Sequence, residues 1–466
     1  MSEFVRRTEM PCSADELFAW HLRPGAFLRL APPWEQVQIE HWAPPSAVGE
    51  TAIIRMRLAP LVWKRWYAQY REFEPGRLFR DVQTRGPFAE FDHRHRMIPT
   101  GPASSLLEDD ITYRPPLGWL GERLGGRFIR RSLDNLFAYR HRTTHDDLEA
   151  HARAASGPLH VLVSGSTGLV GSSLVSMLTA GGHEATRLSR RTFPCDERVL
   201  TWDDLVQRAG TDRRDISSAA RPFDAIVHLA GENIAARRWS PAQKARLRDS
   251  RVEGTRRISE WAASLPRPPQ TLVCASAIGI YGDRGDELLD ENSTLGDDFL
   301  AGVGREWEDA AQAARHAGIR VVHLRFGIIL SARGGALAKM RLPFLMGGGG
   351  RIGSGRQFMS WVALDDAVGA IHHALLHPHL AGAVNVVAPN PVTNSTFTRV
   401  LGQVLRRPTW APLPGWAARL AFGEMADALL LSSQRVVPER LAAAGYRFRF
   451  PDLDEALRFQ LGRIDG

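Results

Sequence analysis

Cysteine is scarce in this 466-residue chain: Cys12, Cys195 and Cys274 stand far apart and are odd in number. That spacing argues against a disulfide framework and against a zinc site built from paired thiolates, and it predicts a cytoplasmic setting. Lysine is equally rare. Lys64, Lys244 and Lys339 are the only lysines among 59 basic residues, so arginine carries the +8 net charge. The arginines are spread among 51 acidic residues instead of forming a basic stripe with interleaved aromatics, so no nucleic-acid partner is expected. No stretch approaches about eighteen consecutive apolar residues, which excludes a hydropathy-defined membrane helix. The opening MSEFVRRTEMPCSADELF has charge but no apolar core, so it does not read as a secretory signal. Apolar content of 44% and charged content of 24% are those of a globular protein, and the length predicts two or three domains.

A composition break at Ala150–Pro158 separates two differently patterned regions. Ahead of it lie strand-like runs at Glu35–Trp42, Thr51–Leu58, Val62–Phe73, Arg77–Thr84 and Ala89–Pro99, punctuated by turn residues. A helix is predicted after Ser13, where Ser-Ala-Asp-Glu resembles a capping start ahead of Leu17, Phe18 and Trp20. A longer helix is predicted from about Gly121 to Ala150, with Leu124, Phe128, Ile129, Leu133, Leu136, Phe137 and Tyr139 at helical spacing. Helices flanking an antiparallel sheet give an α+β domain. The opening Phe4–Phe18, an entry strand leading into a helix, resembles the helix-grip fold of the START-like (SRPBCC) superfamily over residues 1–152. The resemblance implies a sheet wrapped around the last helix and a cavity for an apolar ligand. His141 and His145 stand four apart on that helix and could face the same way; with no third ligand in view they read as surface or capping histidines rather than metal ligands.

After the break, strands and helices alternate, which predicts a doubly wound parallel sheet, a Rossmann fold, over residues 158–400. Leu-His-Val-Leu-Val-Ser-Gly165-Ser-Thr-Gly168-Leu-Val-Gly171 is a strand, a glycine turn and a helix start in succession. Gly165 permits the tight turn, Gly168 lets the backbone approach a pyrophosphate, and Gly171 allows the helix to pack on the strand. The second strand, Glu184–Leu188, runs into Ser189-Arg190-Arg191 with no acidic residue. Two guanidiniums suit a ribose 2′-phosphate, which predicts NADP(H).

From Leu159 to about Pro391 the chain resembles the extended and atypical short-chain dehydrogenases, the NAD(P)-dependent epimerase/dehydratase group, in the branch carrying a C-terminal domain of unknown function. The phrases that carry this are His228-Leu-Ala-Gly-Glu-Asn-Ile, Arg237-Arg-Trp-Ser, Asp249-Ser-Arg-Val-Glu-Gly-Thr, Ala275-Ser-Ala-Ile-Gly-Ile-Tyr-Gly282, Gly353-Ser-Gly-Arg-Gln-Phe-Met-Ser-Trp361 and Gly423-Glu-Met-Ala-Asp. The resemblance implies a small helical cap on the substrate side over 410–466. It implies Ala230 and Gly231 along the cofactor, Asp203 near the adenine, and Ser276 and Tyr281 beside the nicotinamide. The full set of candidate cofactor contacts is Gly165, Ser166, Thr167, Gly168, Leu169, Val170, Gly171, Arg190, Arg191, Asp203, Leu229, Ala230, Gly231 and Glu232.

One element of the wider superfamily is missing. None of the six tyrosines has a lysine four residues later, so the usual acid/base pair is absent. Phe299-Leu-Ala-Gly-Val303 stands where the pair belongs, and alignment on Tyr281-Gly282 puts Ala277, not Ser276, at the catalytic serine position. Three readings follow: an oxidoreductase or epimerase with a rewired set drawn from Tyr281, Ser276 and Glu232 or Lys339; a non-catalytic NADP(H) sensor; and a carrier of an apolar ligand. Gly347–Gly350 reads either as a lid or as a plain surface loop. Asp365 or Asp366 is expected to cap a helix, and Trp410, Trp416 and Phe422 are expected in the core.

Overall fold

The computed structural model describes residues 1–59, 62–153, 157–190, 199–205 and 221–464. The chain divides into two compact units: Met1–Ala155 with Thr179–Gly182 and Arg458–Gly466, and Ser156–Leu178 with His183–Leu457. The division falls inside the Ala150–Pro158 break. Residues 410–457 belong to the second unit and Arg458–Gly466 to the first.

In the first unit, strands β1 (Ser2–Met10), β2 (Val37–His41), β3 (Thr51–Ala59), β4 (Val62–Glu74), β5 (Leu78–Arg85), β6 (Glu90–Gly101) and β7 (Ser104–Arg114) form an antiparallel sheet. Their order is β1-β7-β6-β5-β4-β3-β2. Side chains alternate across the sheet, so Phe4, Phe91, Ile111 and Tyr113 share its buried face. Helix α1 (Ala14–Leu22) begins where Ser13 predicts it: the Ser13 hydroxyl accepts the Glu16 N–H at 3.3 Å. A short turn of helix, α2 (Ala26–Arg29), leads on to the sheet, and α3 (Trp119–Ala152) follows it. Leu133, Phe137, His141, Thr144 and Leu148 recur three or four apart and form the buried face of α3. Leu133 and Phe137 pack with Phe4, Phe91, Ile111 and Tyr113. Leu124 and Phe128, expected in that stripe, lie on the opposite side of the helix and are 82% and 76% exposed. Their spacing is helical, but it is out of phase with the core face.

The second unit is built on strands β8 (His160–Ser164), β9 (Glu184–Ser189), β10 (Val199–Thr201), β11 (Ala225–His228), β12 (Thr271–Ala277), β13 (Arg320–Phe326) and β14 (Gly382–Val386). Every neighbouring pair is parallel, in the order β10-β9-β8-β11-β12-β13-β14. The chain winds one way from β8 to β10 and then returns to place β11 on the other side of β8. That reversal opens a crevice at the carboxyl ends of β8 and β11. Helix α4 (Leu169–Ala180) follows β8, and the helices Pro241–Ser264 and Phe299–Asp309 follow later strands. Asp366, expected as a helix cap, accepts hydrogen bonds from elsewhere: Arg449 N–H at 2.7 Å, Phe450 N–H at 3.0 Å and the Tyr446 hydroxyl at 3.0 Å. It anchors the segment 446–450 to the first turn of the helix Leu364–Leu376. Trp410 and Trp416, expected in the core, are 79% and 69% exposed, and Phe422 is also exposed.

In the first unit, Arg29 grips Asp147 through two hydrogen bonds of 2.7 and 2.8 Å, joining the end of α2 to the last turns of α3. Both side chains are buried. Removing the guanidinium leaves the carboxylate desolvated, which for such pairs costs about 3–5 kcal/mol. Arg29→Met is therefore expected to lower the unfolding free energy of the full chain by that amount. Denaturant titration followed by circular dichroism measures it, and a loss under about 1 kcal/mol would show that the pair is solvated in practice.

Candidate functional site

The glycine turn sits at the carboxyl end of β8. Gly165 has φ of +66°, and a Cβ there would lie 2.7–2.8 Å from the backbone of Leu229 and Ala230. A Cβ on Gly171 would lie 2.2 Å from the Gly165 carbonyl oxygen. These contacts are with backbone, so neither residue can carry a side chain without shifting the turn. The Gly168 N–H closes the turn onto the Gly165 carbonyl at 2.9 Å, and Ser172 N–H bonds Gly168 at 2.9 Å as α4 begins. Thr167 and Gly168 are exposed, whereas Leu169 and Val170 are half-buried. The Ser166 hydroxyl oxygen is buried inside the turn without a hydrogen-bond partner. A backbone cradle, a helix N-terminus and an orphaned hydroxyl together fit a bound pyrophosphate.

The other side of the crevice is tied to the turn. Ser164 and His228, at the ends of β8 and β11, share a 2.7 Å hydrogen bond, and Leu229 N–H bonds the Ser164 hydroxyl at 3.2 Å. Burial pushes His228 down to about 4, so its ring is neutral. Ala230 is half-buried and Gly231 is exposed at the rim. Glu232 is held by its backbone, its N–H bonding Ser250 at 3.0 Å and its carbonyl accepting from Arg251 at 3.1 Å. At the end of β9, Arg187 bonds the Ser166 carbonyl at 3.1 Å, and Arg190 is exposed just beyond the strand. Asp203 is exposed as well, while Arg191 lies outside the described residues.

Tyr281 and Ser276, the candidate acid/base groups, have both hydroxyls engaged in a buried network. Ser276, Arg325 and Asn385 stand in register on β12, β13 and β14. Arg325 holds Glu308 in a bidentate pair at 2.8 and 2.8 Å and donates to the Tyr281 hydroxyl at 2.9 Å. Tyr281 in turn donates to Asn385 at 2.8 Å, and Ser276 donates to Glu308 at 2.7 Å. Tyr281 is 0% exposed, and burial raises its phenol above the ordinary tyrosine value despite Arg325. In this arrangement the two hydroxyls hold strand ends together, and both residues are buried. Ala277, one residue beyond Ser276, is the exposed position. Lys339 bonds the Ala235 carbonyl at 2.9 Å, and Lys244 lies 4.7 Å over the Phe299 ring.

A second concavity of about 320 Å³ is lined by Arg351, Ser395, Thr398, Thr409, Trp410 and Pro412. The Gly347–Gly350 run beside it is anchored, with Gly348 N–H bonding Pro343 at 2.9 Å and Gly350 packed against the Ala411 backbone. Those contacts suit a fixed surface loop better than a lid.

Comparison with known proteins follows the same lines. The family model described as the NAD dependent epimerase/dehydratase family matches residues 161–387, and a domain of unknown function, DUF1731, matches 413–460. An epimerase family protein of Mycobacterium bovis is 43% identical over 307 residues, 65% of this chain and 98% of that protein. The chain belongs to the NAD dependent epimerase/dehydratase family. Among solved structures, a nucleoside-diphosphate sugar epimerase from Corynebacterium glutamicum is 31% identical with a TM-score of 0.78, covering 98% of this chain and 90% of that one. Human epimerase family protein SDR39U1, solved with NADPH, is 37% identical with a TM-score of 0.59, covering 65% of this chain and 99% of that one.

Within this epimerase family chain, Arg325, Glu308 and Asn385 are the site-end residues that sequence reasoning missed. A signal was present: Arg325, beside Leu324 and Phe326 near the end of the strand Arg-Val-Val-His-Leu-Arg-Phe, needs a buried partner. Arg325 holds Glu308 below the usual glutamate value, although burial alone would raise it. A carboxylate with a depressed folded pKa stabilises above its unfolded value and loses that stabilisation as pH falls. The chain is thus expected to weaken below about pH 4.3 partly through Glu308. Glu308→Gln, which leaves Arg325 buried without its anion, should cost about 3–5 kcal/mol at neutral pH and flatten the acid limb. Urea unfolding across the pH range tests both; an unchanged acid limb would assign it to other carboxylates.

Proposed function

We propose that this protein is an NADP(H)-dependent oxidoreductase or epimerase of the short-chain dehydrogenase type, acting on a small molecule. The observation that carries this reading is the Gly165–Gly171 cradle, with its orphaned Ser166 hydroxyl at the N-terminus of α4. The candidate contacts fall along the crevice in an order that suits a dinucleotide. Gly165, Ser166, Thr167, Gly168, Leu169, Val170 and Gly171 take the pyrophosphate, and Leu229, Ala230, Gly231 and Glu232 border the path towards the nicotinamide. Asp203 sits on the adenine side, and Arg190, with Arg191, takes the ribose 2′-phosphate. The NADPH-bound human relative supports the same cofactor. When bound, NADP(H) supplies or accepts the hydride; the chain's residues orient it and hold the strand ends. Tyr281 and Ser276 enter this reading as positioning residues behind Ala277. The first unit enters it as a START-like domain for an apolar ligand, supported by the strand order and by α3 lying over the buried face of the sheet. The cysteine content supports a cytoplasmic setting; among the described residues, no helix is long and apolar enough to cross a membrane.

A second reading, non-catalytic NADP(H) binding, is favoured by one specific observation. Ala277 and Phe299 put a methyl and a phenyl ring where the superfamily keeps its hydroxyl groups. Titration of the full chain with NADPH and NADH separates cofactor choice from turnover. NADPH is expected to bind more tightly, and Arg190→Ser to weaken NADPH by roughly 10–100-fold, the worth of a charge-assisted phosphate contact, with NADH unchanged. Equal affinity for both cofactors would overturn the NADP(H) assignment. Steady NADPH oxidation with any member of a panel of aldehydes, ketones and nucleotide sugars establishes the enzyme; tight binding without turnover establishes the sensor. Given turnover, Tyr281→Phe is expected to lower stability while kcat stays within about threefold. A fall of roughly 10²–10⁴-fold at unchanged NADPH affinity would instead make Tyr281 the proton donor.

A further inference from the structure

The buried face of the N-terminal sheet is apolar except at its centre. There His93 and His95, two apart on β6, point to the same side, with Asp81 opposite His93 on β5 and Asp109 opposite His95 on β7. His141 comes to the same place from α3: its Nε2 meets Asp109 at 2.6 Å and its Nδ1 meets the Thr8 hydroxyl at 2.8 Å. It is buried, so it is neither the surface nor the capping histidine its sequence position suggests, whereas His145 is half-exposed beside Asp146.

We propose that Asp81, His93 and His95 form a binding site for a divalent first-row transition-metal ion. The argument rests on which nitrogens are already used. His93 Nε2 and His95 Nδ1 both meet one oxygen of Asp109, at 2.8 and 2.7 Å. The other oxygen of Asp109 is taken by His141, so this carboxylate fixes all three rings. With those nitrogens turned to Asp109, the nitrogens open to a metal are His93 Nδ1 and His95 Nε2. Both face Asp81 Oδ1, at 3.9 and 3.6 Å. Two imidazole nitrogens and a carboxylate oxygen thus converge on one point. A metal with bonds of 2.0–2.1 Å sets its ligands about 3.4 Å apart, close to what is seen. All three ligand atoms lie within 4.8 Å of one another.

Asp109 then plays the supporting part that a carboxylate plays behind metal-bound histidines, fixing the tautomer and orientation of both rings. Two histidines and one carboxylate leave coordination positions open, as in catalytic zinc and non-haem iron centres. The surroundings suit an exogenous ligand there. Tyr70 stands opposite Asp81 in register, and His21, pushed down to about 4 by burial, lies 6.4 Å from the His95 ring. Arg140 on α3 is the guanidinium nearest the two carboxylates, Asp81 and Asp109.

The test uses the full chain, stripped with dipicolinate and dialysed, then titrated separately with Zn(II), Co(II) and, anaerobically, Fe(II). Elemental analysis gives equivalents bound, and the Co(II) visible spectrum reports nitrogen and oxygen ligation. The wild type should hold one equivalent more than Asp81→Asn and than His95→Gln, each with affinity at that site reduced at least about 100-fold. Asp109→Asn should lose about 10–100-fold. Asp81 and His95 are both partly exposed, so Asp81→Asn carries the test if a histidine variant fails to fold, with circular dichroism confirming its fold. Equal metal content in folded Asp81→Asn and wild type, or a wild type that takes up no Co(II) with this spectrum, would overturn the site.

Discussion

The second unit depends on a close approach of backbone to backbone. The turn after β8 runs so near the start of the loop after β11 that Gly165 has no room for a Cβ. β11 lies beside β8 because the connection returns across the sheet, and the Ser164–His228 hydrogen bond locks their ends together. A larger residue at 165 would push Leu229 and Ala230 away and open the crevice. With glycine there, the N–H groups at the start of α4 and the rim of the β11 loop converge on one narrow slot. The cofactor site is therefore a consequence of strand order before it is a matter of any particular side chain.

A different physics governs the strand ends beyond it. Arg325, Glu308, Ser276, Tyr281 and Asn385 are buried polar groups, and burial without partners would cost several kcal/mol. They form a set joined by hydrogen bonds of 2.7–2.9 Å. Such a set makes β12, β13 and β14 end at one level and keeps the nearby turn rigid. Rigidity has a chemical consequence. A hydroxyl already giving its proton to Asn385 while receiving one from Arg325 is poorly placed to pass a proton to substrate, and the exposed neighbour, Ala277, has none to give. If chemistry occurs here, its proton donor lies among the residues lining the open crevice or on the substrate itself.

Much of this was legible in the sequence, and the misses have two causes. The glycine turn was legible because its conformation is required locally: strand, turn and helix are adjacent in the chain. The parallel sheet was legible from alternation, and Ser13 from capping chemistry. Leu124, Phe128, Trp410 and Trp416 were not. Periodicity shows that residues share a face but not whether a partner covers it, and these four are largely exposed. The polar clusters were hidden for the opposite reason. Arg325 and Glu308 are 17 residues apart, and His141 and Asp109 are 32 apart, so only tertiary structure brings them together. His93-Arg-His95 was the exception. Two histidines at strand spacing must share a face, and that pattern was open to reading beside the His141–His145 pair.

The two buried polar clusters now differ in one respect that separates structure from function. Around Arg325 the charges and hydrogen-bonding groups close: a cation grips an anion with two bonds, and the hydroxyls bridge what is left. Around Asp109 they do not. One carboxylate meets nitrogens of three imidazoles, and two of those rings turn their remaining nitrogens towards a second carboxylate at 3.9 and 3.6 Å. An apolar residue at position 81 would fill the same space without a carboxylate to balance. A polar cluster that is complete as it stands is explained by stability. One that is complete only with a cation added is better explained by what it holds.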